Sequence, residues 1–249
     1  LVNENTTDSW NTDRTEDDVF TYTLSDGYNP DDEATLTVTV EGKNDASVIN
    51  SVTGNNQGYK VVDGLLDVNQ DGIVDTIDPT ILLSTDTGEY FSSNNGNISI
   101  DLGSGGTDMA VEYLGGQASY HSVLGFYEYD VNGNPTNPII LYIEDQSFVG
   151  KVSKYLGTLD NLEGKVGFFI VPNAEGTITA TSNLTFDGNS LQLNGADLPN
   201  VYYTDNNLST DGKDHAIIAK DVDGKGLVIA FEDLSLGDQD YDDFVIKIK

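Results

Sequence analysis

Asp67, Asn69, Asp71, Asp75 and Asp78 fall at positions 1, 3, 5, 9 and 12 of a twelve-residue stretch, with Gly72 at position 6 and Ile73 at position 7. Alternate residues at that spacing aim oxygens at one point, Ile73 offers a backbone carbonyl, and glycine permits the sharp turn between them. The chemistry is an oxygen cage for a hard cation, and the expected ion is calcium. A second stretch, 232–243, packs six carboxylates into twelve positions: Glu232, Asp233, Asp238, Asp240, Asp242 and Asp243. Apolar strand-like runs flank it on both sides. Like charges this dense, held between buried strands, are costly without a counter-ion. Asp221 and Asp223 lie one short strand earlier and are expected to join this cage. The chain is therefore expected to bind several calcium ions.

The composition agrees. Among 249 residues there are 42 acidic and 11 basic side chains, for a formal net charge of −31. Asp supplies 31 of the 42 acids. Asp suits turns and compact oxygen cages, whereas helices would favour Glu. The charge excludes nucleic acid as an expected partner, because it repels phosphates. No cysteine is present, so neither a disulfide framework nor a thiolate metal site is available. No apolar run is long enough to span a bilayer and no signal peptide is legible, so membrane insertion is not expected. The first residues read as the middle of a longer protein, in which this piece would be a monomeric module.

A ligand could be received in the turn Gly103-Ser104-Gly105-Gly106-Thr107-Asp108. Successive backbone N–H groups in such a turn can form an anion nest suited to a peptide's terminal carboxylate. Ser104 and Thr107 would add hydroxyls, and Asp108 could hold a bridging calcium. An ordinary glycine-rich loop is the plainer account of the same residues. Tyr120, His121 and Tyr127 belong to an aromatic strand region, and Tyr202-Tyr203 form a second pair. Exposed tyrosines anchor peptides and sugars, while buried ones simply fill sheets. Catalytic residues are not expected: there is no nucleophile elbow, and the acidic pairs that might suggest a glycosidase already have calcium spacing. His215 lies in an apolar run, where a core or calcium-shell role is expected.

These groups need β scaffolding, and the pattern supplies it. Residues 35–41 alternate without a fault, with Leu36, Val38 and Val40 on one face and threonines on the other. Beyond residue 50, apolar runs recur at 97–102, 109–114, 122–129, 138–144, 165–171, 190–194, 215–219, 226–232 and 244–248, separated by Gly, Asn and Asp clusters. The expected fold is mostly β, an antiparallel sandwich or jelly-roll-like architecture with calcium-binding loops and one or two short helices. One helix is expected at 151–162, where Val152, Tyr155, Leu156, Leu159 and Leu162 recur at helical spacing. Pro79 could open another, running to Leu83.

Three resemblances add to this reading. The 67–78 stretch has the spacing of an EF-hand-type loop, and Asp78 at its last position resembles the loops of dockerin modules. The run "DDVFTYTLSDG…ATLTVTVEGKNDA", within 15–46, resembles the last two strands and linker of cadherin-like, immunoglobulin-type repeats of bacterial adhesins. Only a fragment of such a sandwich is present: either the chain starts inside a repeat, or the ribbon pairs with the main domain. Residues 1–46 and 47–249 are expected as separate domains. Finally, "LGFYEYDVNG", "GFFIVPNA" and "HAIIAKDVDGKGLVIAFEDLSLGDQDYDDFVIKI" are together similar to a calcium-rich β-domain of giant repeats-in-toxin (RTX) adhesins. That similarity implies a secreted, cell-surface module that binds short peptide or protein C-termini on host or partner cells, as in biofilm adhesion. A calcium-stiffened spacer and a carbohydrate-binding module, taking a glycan, are the alternatives.

Overall fold

The computed structural model describes residues 15–24, 32–41, 51–53, 60–62, 65–67, 76–79, 83, 99–118, 120–144, 153–235 and 240–249. The chain divides into two compact units, Leu1–Ala46 and Ser47–Lys249. In the first, β1 (Thr15–Leu24) and β2 (Asp32–Glu41) pair antiparallel along their full length. Phe20 lies opposite Leu36 and Val19 opposite Thr37, so one face collects Phe20, Tyr22, Leu36 and Val38 and the other collects threonines. The Thr39 hydroxyl donates to Asp17 Oδ1 at 2.7 Å on the polar face.

The second unit runs through β3 (Ser51–Thr53), β4 (Lys60–Val62), β5 (Leu65–Asp67), β6 (Thr76–Ile77), β7 (Ser99–Asp101), β8 (Thr107–Gly115), β9 (Val123–Tyr129) and β10 (Pro135–Ile143). It continues with β11 (Lys154–Leu162), β12 (Lys165–Val171), β13 (Leu184–Asp187), β14 (Ser190–Leu193), β15 (Ala196–Asp197), β16 (Tyr202–Tyr203), β17 (Ala216–Asp221), β18 (Leu227–Phe231) and β19 (Phe244–Ile248). One sheet has the order β10-β9-β12-β7-β3, with β16 also against β12. The other has the order β11-β8-β19-β18-β17-β6. All these pairings are antiparallel except that of β6 with β17. A small sheet β13-β14-β15 and the hairpin β4-β5 complete the strands.

The two large sheets face each other, and one core fills the space between them. Ile100, Leu124, Phe126, Val166, Phe168 and Ile170 come from one sheet; Met109, Val111, Ile218, Ile229, Phe231 and Ile246 come from the other. The apolar runs show little alternation because the central strands are covered on both faces. Val123, Tyr127, Phe169 and Val171 pack outward against Leu184, Leu191 and Tyr203. Ile217, Ala219, Val228, Ala230 and Val245 pack outward with Leu83 and Tyr241. The fold is thus a mostly β, antiparallel sandwich with an extra layer against each sheet. Tyr127 is fully buried, so the expected ligand contact is instead a core residue. Its ring lies where a Cβ on Gly167, its cross-strand partner, would sit at 2.4 Å, and its hydroxyl is 3.1 Å from that of Tyr129.

The helix expected at 151–162 is strand β11, and the apparent helical spacing has a β origin. β11 pairs with β8 at the sheet edge, and the register shifts twice, between Tyr155 and Gly157 and between Leu159 and Leu162. Gly157 has φ 138° and Asn161 has φ 56°, backbone values that suit those residues at bulges. Each bulge inserts one residue, so the inward positions fall three apart rather than two. Leu156, Leu159 and Leu162 accordingly reach the core. At Pro79 the backbone is helical and the Leu83 N–H donates to its carbonyl at 3.0 Å; residues 80–82 lie outside the described set.

Candidate metal centre and adjoining cleft

β18 and β19 end together because Phe231 and Phe244 are register partners and both rings are buried in the central core. That pairing sets Glu232 and Asp233, which follow Phe231, beside Asp243, which precedes Phe244. The Asp233 N–H donates to Asp243 Oδ2 at 2.8 Å. Glu232 is tied to the neighbouring strand, with its N–H donating to the His215 carbonyl at 3.0 Å. Carboxylate oxygens of Glu232, Asp233 and Asp243 all lie within 4.8 Å of one another. At that spacing a single ion can take an oxygen from each.

Two further carboxylates crowd the same turn, and Asp240 and Asp242 are both buried. Between them Tyr241 has φ 57°, a left-handed conformation uncommon for an aromatic residue. Its ring is fixed in the outer core and its hydroxyl donates to the Asp214 carbonyl at 3.3 Å. The Asp242 N–H donates to Asp240 Oδ1 at 3.2 Å, and the Gln117 amide donates to the Asp242 carboxylate. Burial, and then repulsion from Asp240, pushes the Asp242 carboxyl up to about 7, with Asp243 adding to the rise and the Gln117 bond opposing it. A group raised above its unfolded value contributes stability present at low pH and lost as pH rises through the folded pKa. Without divalent metal, the contribution of Asp242 to the melting temperature is therefore expected to fall between about pH 4 and pH 7. Asp242→Asn should flatten that fall in a thermal scan across pH; an equal slope in both proteins would contradict the assignment.

The segment after β8 presses on this turn. The Gln117 N–H donates to the Asp242 carbonyl at 2.9 Å, and a Cβ on Gly116 would lie 2.0 Å from the Asp243 carbonyl oxygen. The obstacle is backbone, which cannot rotate aside. Gly116→Ala is expected to cost about 1–3 kcal/mol and to displace Asp243, which a denaturant titration would measure.

A cleft of about 300 Å³ opens next to the cluster, with Asp233 and Leu234 on its wall. Tyr120, Pro172, Asn173, Pro199, Asn200 and Tyr202 form the rest of it. Tyr120 keeps 39% of its surface exposed, and its neighbour His121 pairs with Glu175 at 3.2 Å. Asp233 thus belongs to both cluster and cleft.

The other sequence-derived residues lie elsewhere. Asp221 and Asp223 do not join the 232–243 cluster. Lys220 pairs with Leu227 and Ala216 with Phe231, so Asp221 and Glu232 sit at opposite ends of the β17–β18 hairpin. Both acids bond the ammonium of Lys247, Asp223 at 2.6 Å. Burial opposes the Lys247 charge, but its hydrogen bonds to Asp221 and Asp223 outweigh burial and hold its pKa above the ordinary lysine value. Beside them, the Val222 N–H donates to the Ile77 carbonyl at 3.2 Å, which places Asp78 at this same end. Of the 67–78 loop, Asp67 is described by backbone only and Asn69, Asp71, Ile73 and Asp75 fall outside the described residues, as does Asp238.

The 103–108 turn is also remote from the cluster, since it leads into β8, whose first residues are Thr107 and Asp108, while Gly116 and Gln117 follow the other end of that strand. The Gly103 N–H donates to Asp101 Oδ1 at 2.9 Å, so part of the nest already holds the chain's own carboxylate. Ser104 and Gly105 are exposed, and Gly106 and Thr107 are half-buried. Asp108 accepts the Asn161 N–H at 2.7 Å, and a side chain at Gly106 would meet Asn161 Oδ1 at 2.3 Å. The turn is fastened to the β11 bulge. Sequence reasoning missed the cleft: Tyr202 and Tyr120 were legible as aromatics, but Pro172, Asn173, Pro199 and Asn200 come from separate turns that only the fold unites.

Residues 162–249 match a family described as Domain of unknown function (DUF4114). No curated protein matches the chain. No solved structure matches it. The matched family segment contains the whole 232–243 cluster and, apart from Tyr120, every residue of the cleft.

Proposed function

We propose that the chain is a calcium-dependent adhesion module of a secreted bacterial surface protein, one that binds short peptide C-termini on host or partner cells. The observation that carries this reading is Asp233, shared between a buried carboxylate cluster and an adjoining cleft. A donor set made of carboxylate oxygens favours a hard cation, and calcium tolerates the irregular geometry of such clusters. Glu232, Asp233 and Asp243 would hold the ion, with Asp240 and Asp242 close enough to adjust its charge balance. A cation at the cleft margin would attract a terminal carboxylate, and Tyr120 and Tyr202 would cover the adjoining residues of the ligand. No catalytic group is assigned.

The test is binding of a peptide panel with free C-termini to the full chain, in saturating calcium and again with a chelator. Binding that needs both the free carboxylate and calcium is the expected result. No binding to any peptide in saturating calcium would contradict it. A carbohydrate ligand is the second reading, favoured by the Asn173 and Asn200 amides beside two tyrosine rings in the cleft, and a glycan array separates the two. A chain stabilised by calcium that binds neither ligand would instead be a stiffened spacer.

A further inference from the structure

His215 touches both the cluster and the cleft, although it belongs to neither. It is 1% exposed and directly precedes β17. Its ring lies flat on Tyr202, with centroids 3.6 Å apart and planes 7° from parallel. Tyr202 pairs with Ile170 of the opposite sheet and forms part of the cleft wall. On its other side, His215 Nδ1 is 3.1 Å from the Glu232 carbonyl oxygen, and the His215 carbonyl accepts the Glu232 N–H at 3.0 Å. The remaining ring nitrogen is 3.0 Å from Asp211 Oδ2, which leaves the imidazole little freedom to rotate. In a close-packed interior, a displacement of Glu232 must then be passed to the ring, and from the ring to the stacked phenol.

We infer that His215 is a positioning residue that couples the Glu232-Asp233-Asp243 cluster to the Tyr202 wall of the cleft, so that metal loading sets the shape of the ligand site. This rests on the calcium reading of the cluster. Coupling of this kind is reciprocal. Removing the Tyr202 ring therefore weakens calcium binding, and loading calcium moves Tyr202. Contacts along such a link carry effects of roughly twofold to thirtyfold in affinity.

The experiment follows the ring signals of His215 and Tyr202 by NMR during a calcium titration of the full chain. Calorimetry supplies the calcium affinities of the wild type, Tyr202→Leu, His215→Phe and the double variant. In the wild type both rings should shift with one midpoint. In His215→Phe, which keeps an aromatic ring and the backbone bond to Glu232 but loses the Nδ1 contact with the Glu232 carbonyl, calcium should still bind while Tyr202 no longer responds. Tyr202→Leu should weaken calcium at least about twofold in the wild-type background and have no further effect in His215→Phe. A histidine that merely stabilised the fold would leave the Tyr202 response intact, and that result overturns the inference. Independent, multiplying effects of the two substitutions overturn it as well. Should His215→Phe fail to fold, the wild-type titration still decides: calcium uptake with Tyr202 silent refutes the coupling alone. No calcium uptake refutes the calcium reading and the coupling together.

Discussion

Lys247→Met is expected to destabilise the Ser47–Lys249 unit by about 3 kcal/mol, at the low end of the range for a broken buried ion pair because Asp223 stands partly in water. The Lys247 side chain is 7% exposed and Asp221 4%, against 43% for Asp223. Removing the ammonium leaves two carboxylates facing each other at the β17–β18 turn, and at least Asp221 cannot be hydrated where it lies. For a domain of about 200 residues this corresponds to a fall of roughly 6–12 °C in melting temperature. Restoring neutrality with Asp221→Asn and Asp223→Asn in the same chain should recover much of the loss, since the penalty is uncompensated charge rather than lost packing. Thermal melts of the single and triple variants measure both. An unchanged melting temperature for Lys247→Met would contradict this reading of the Asp221–Lys247–Asp223 contact.

The second large effect is expected from metal removal. An ion that binds only the folded chain stabilises it by about 2.7 kcal/mol when its concentration is a hundred times its dissociation constant. Each such site then adds roughly 5–10 °C to the melting temperature of a domain this size. Chelation should lower the melting temperature by at least that much, and added calcium should restore it. The 232–243 turn explains the magnitude. Glu232, Asp233, Asp240 and Asp242 are all nearly inaccessible to solvent, so water screens their repulsion poorly, and a counter-ion would relieve it.

What could be read from the residues divides along physical lines. The β architecture was legible because apolar runs such as 165–171, 226–232 and 244–248 are long and bounded by turn residues, and these became β12, β18 and β19. The grouping of Glu232, Asp233 and Asp243 was legible because acids at both ends of a short acidic stretch adjoin two buried strands, which pair and bring them together; Asp238 lies outside the described residues. β11 was misread because bulges at Gly157 and Asn161 convert a period of two into intervals of three, which mimics a helix. Tyr127 was misplaced because alternation cannot tell a solvated face from a second core, and β9 is covered on both sides. Asp221 and Asp223 lie close to the cluster in sequence but at the far end of a hairpin in space, where Lys247 meets them. Only pairing between β18 and β19 puts that lysine there, and no local spacing announces it.

The central claim is that Glu232, Asp233 and Asp243 hold a calcium ion at the margin of the cleft. The most direct measurement is a count of calcium ions bound to the full chain by native mass spectrometry, repeated on the variant carrying Glu232→Gln, Asp233→Asn and Asp243→Asn together. The variant, folded by circular dichroism, is expected to carry one ion fewer than the wild type; equal counts in the two proteins would contradict a calcium ion held by these three residues.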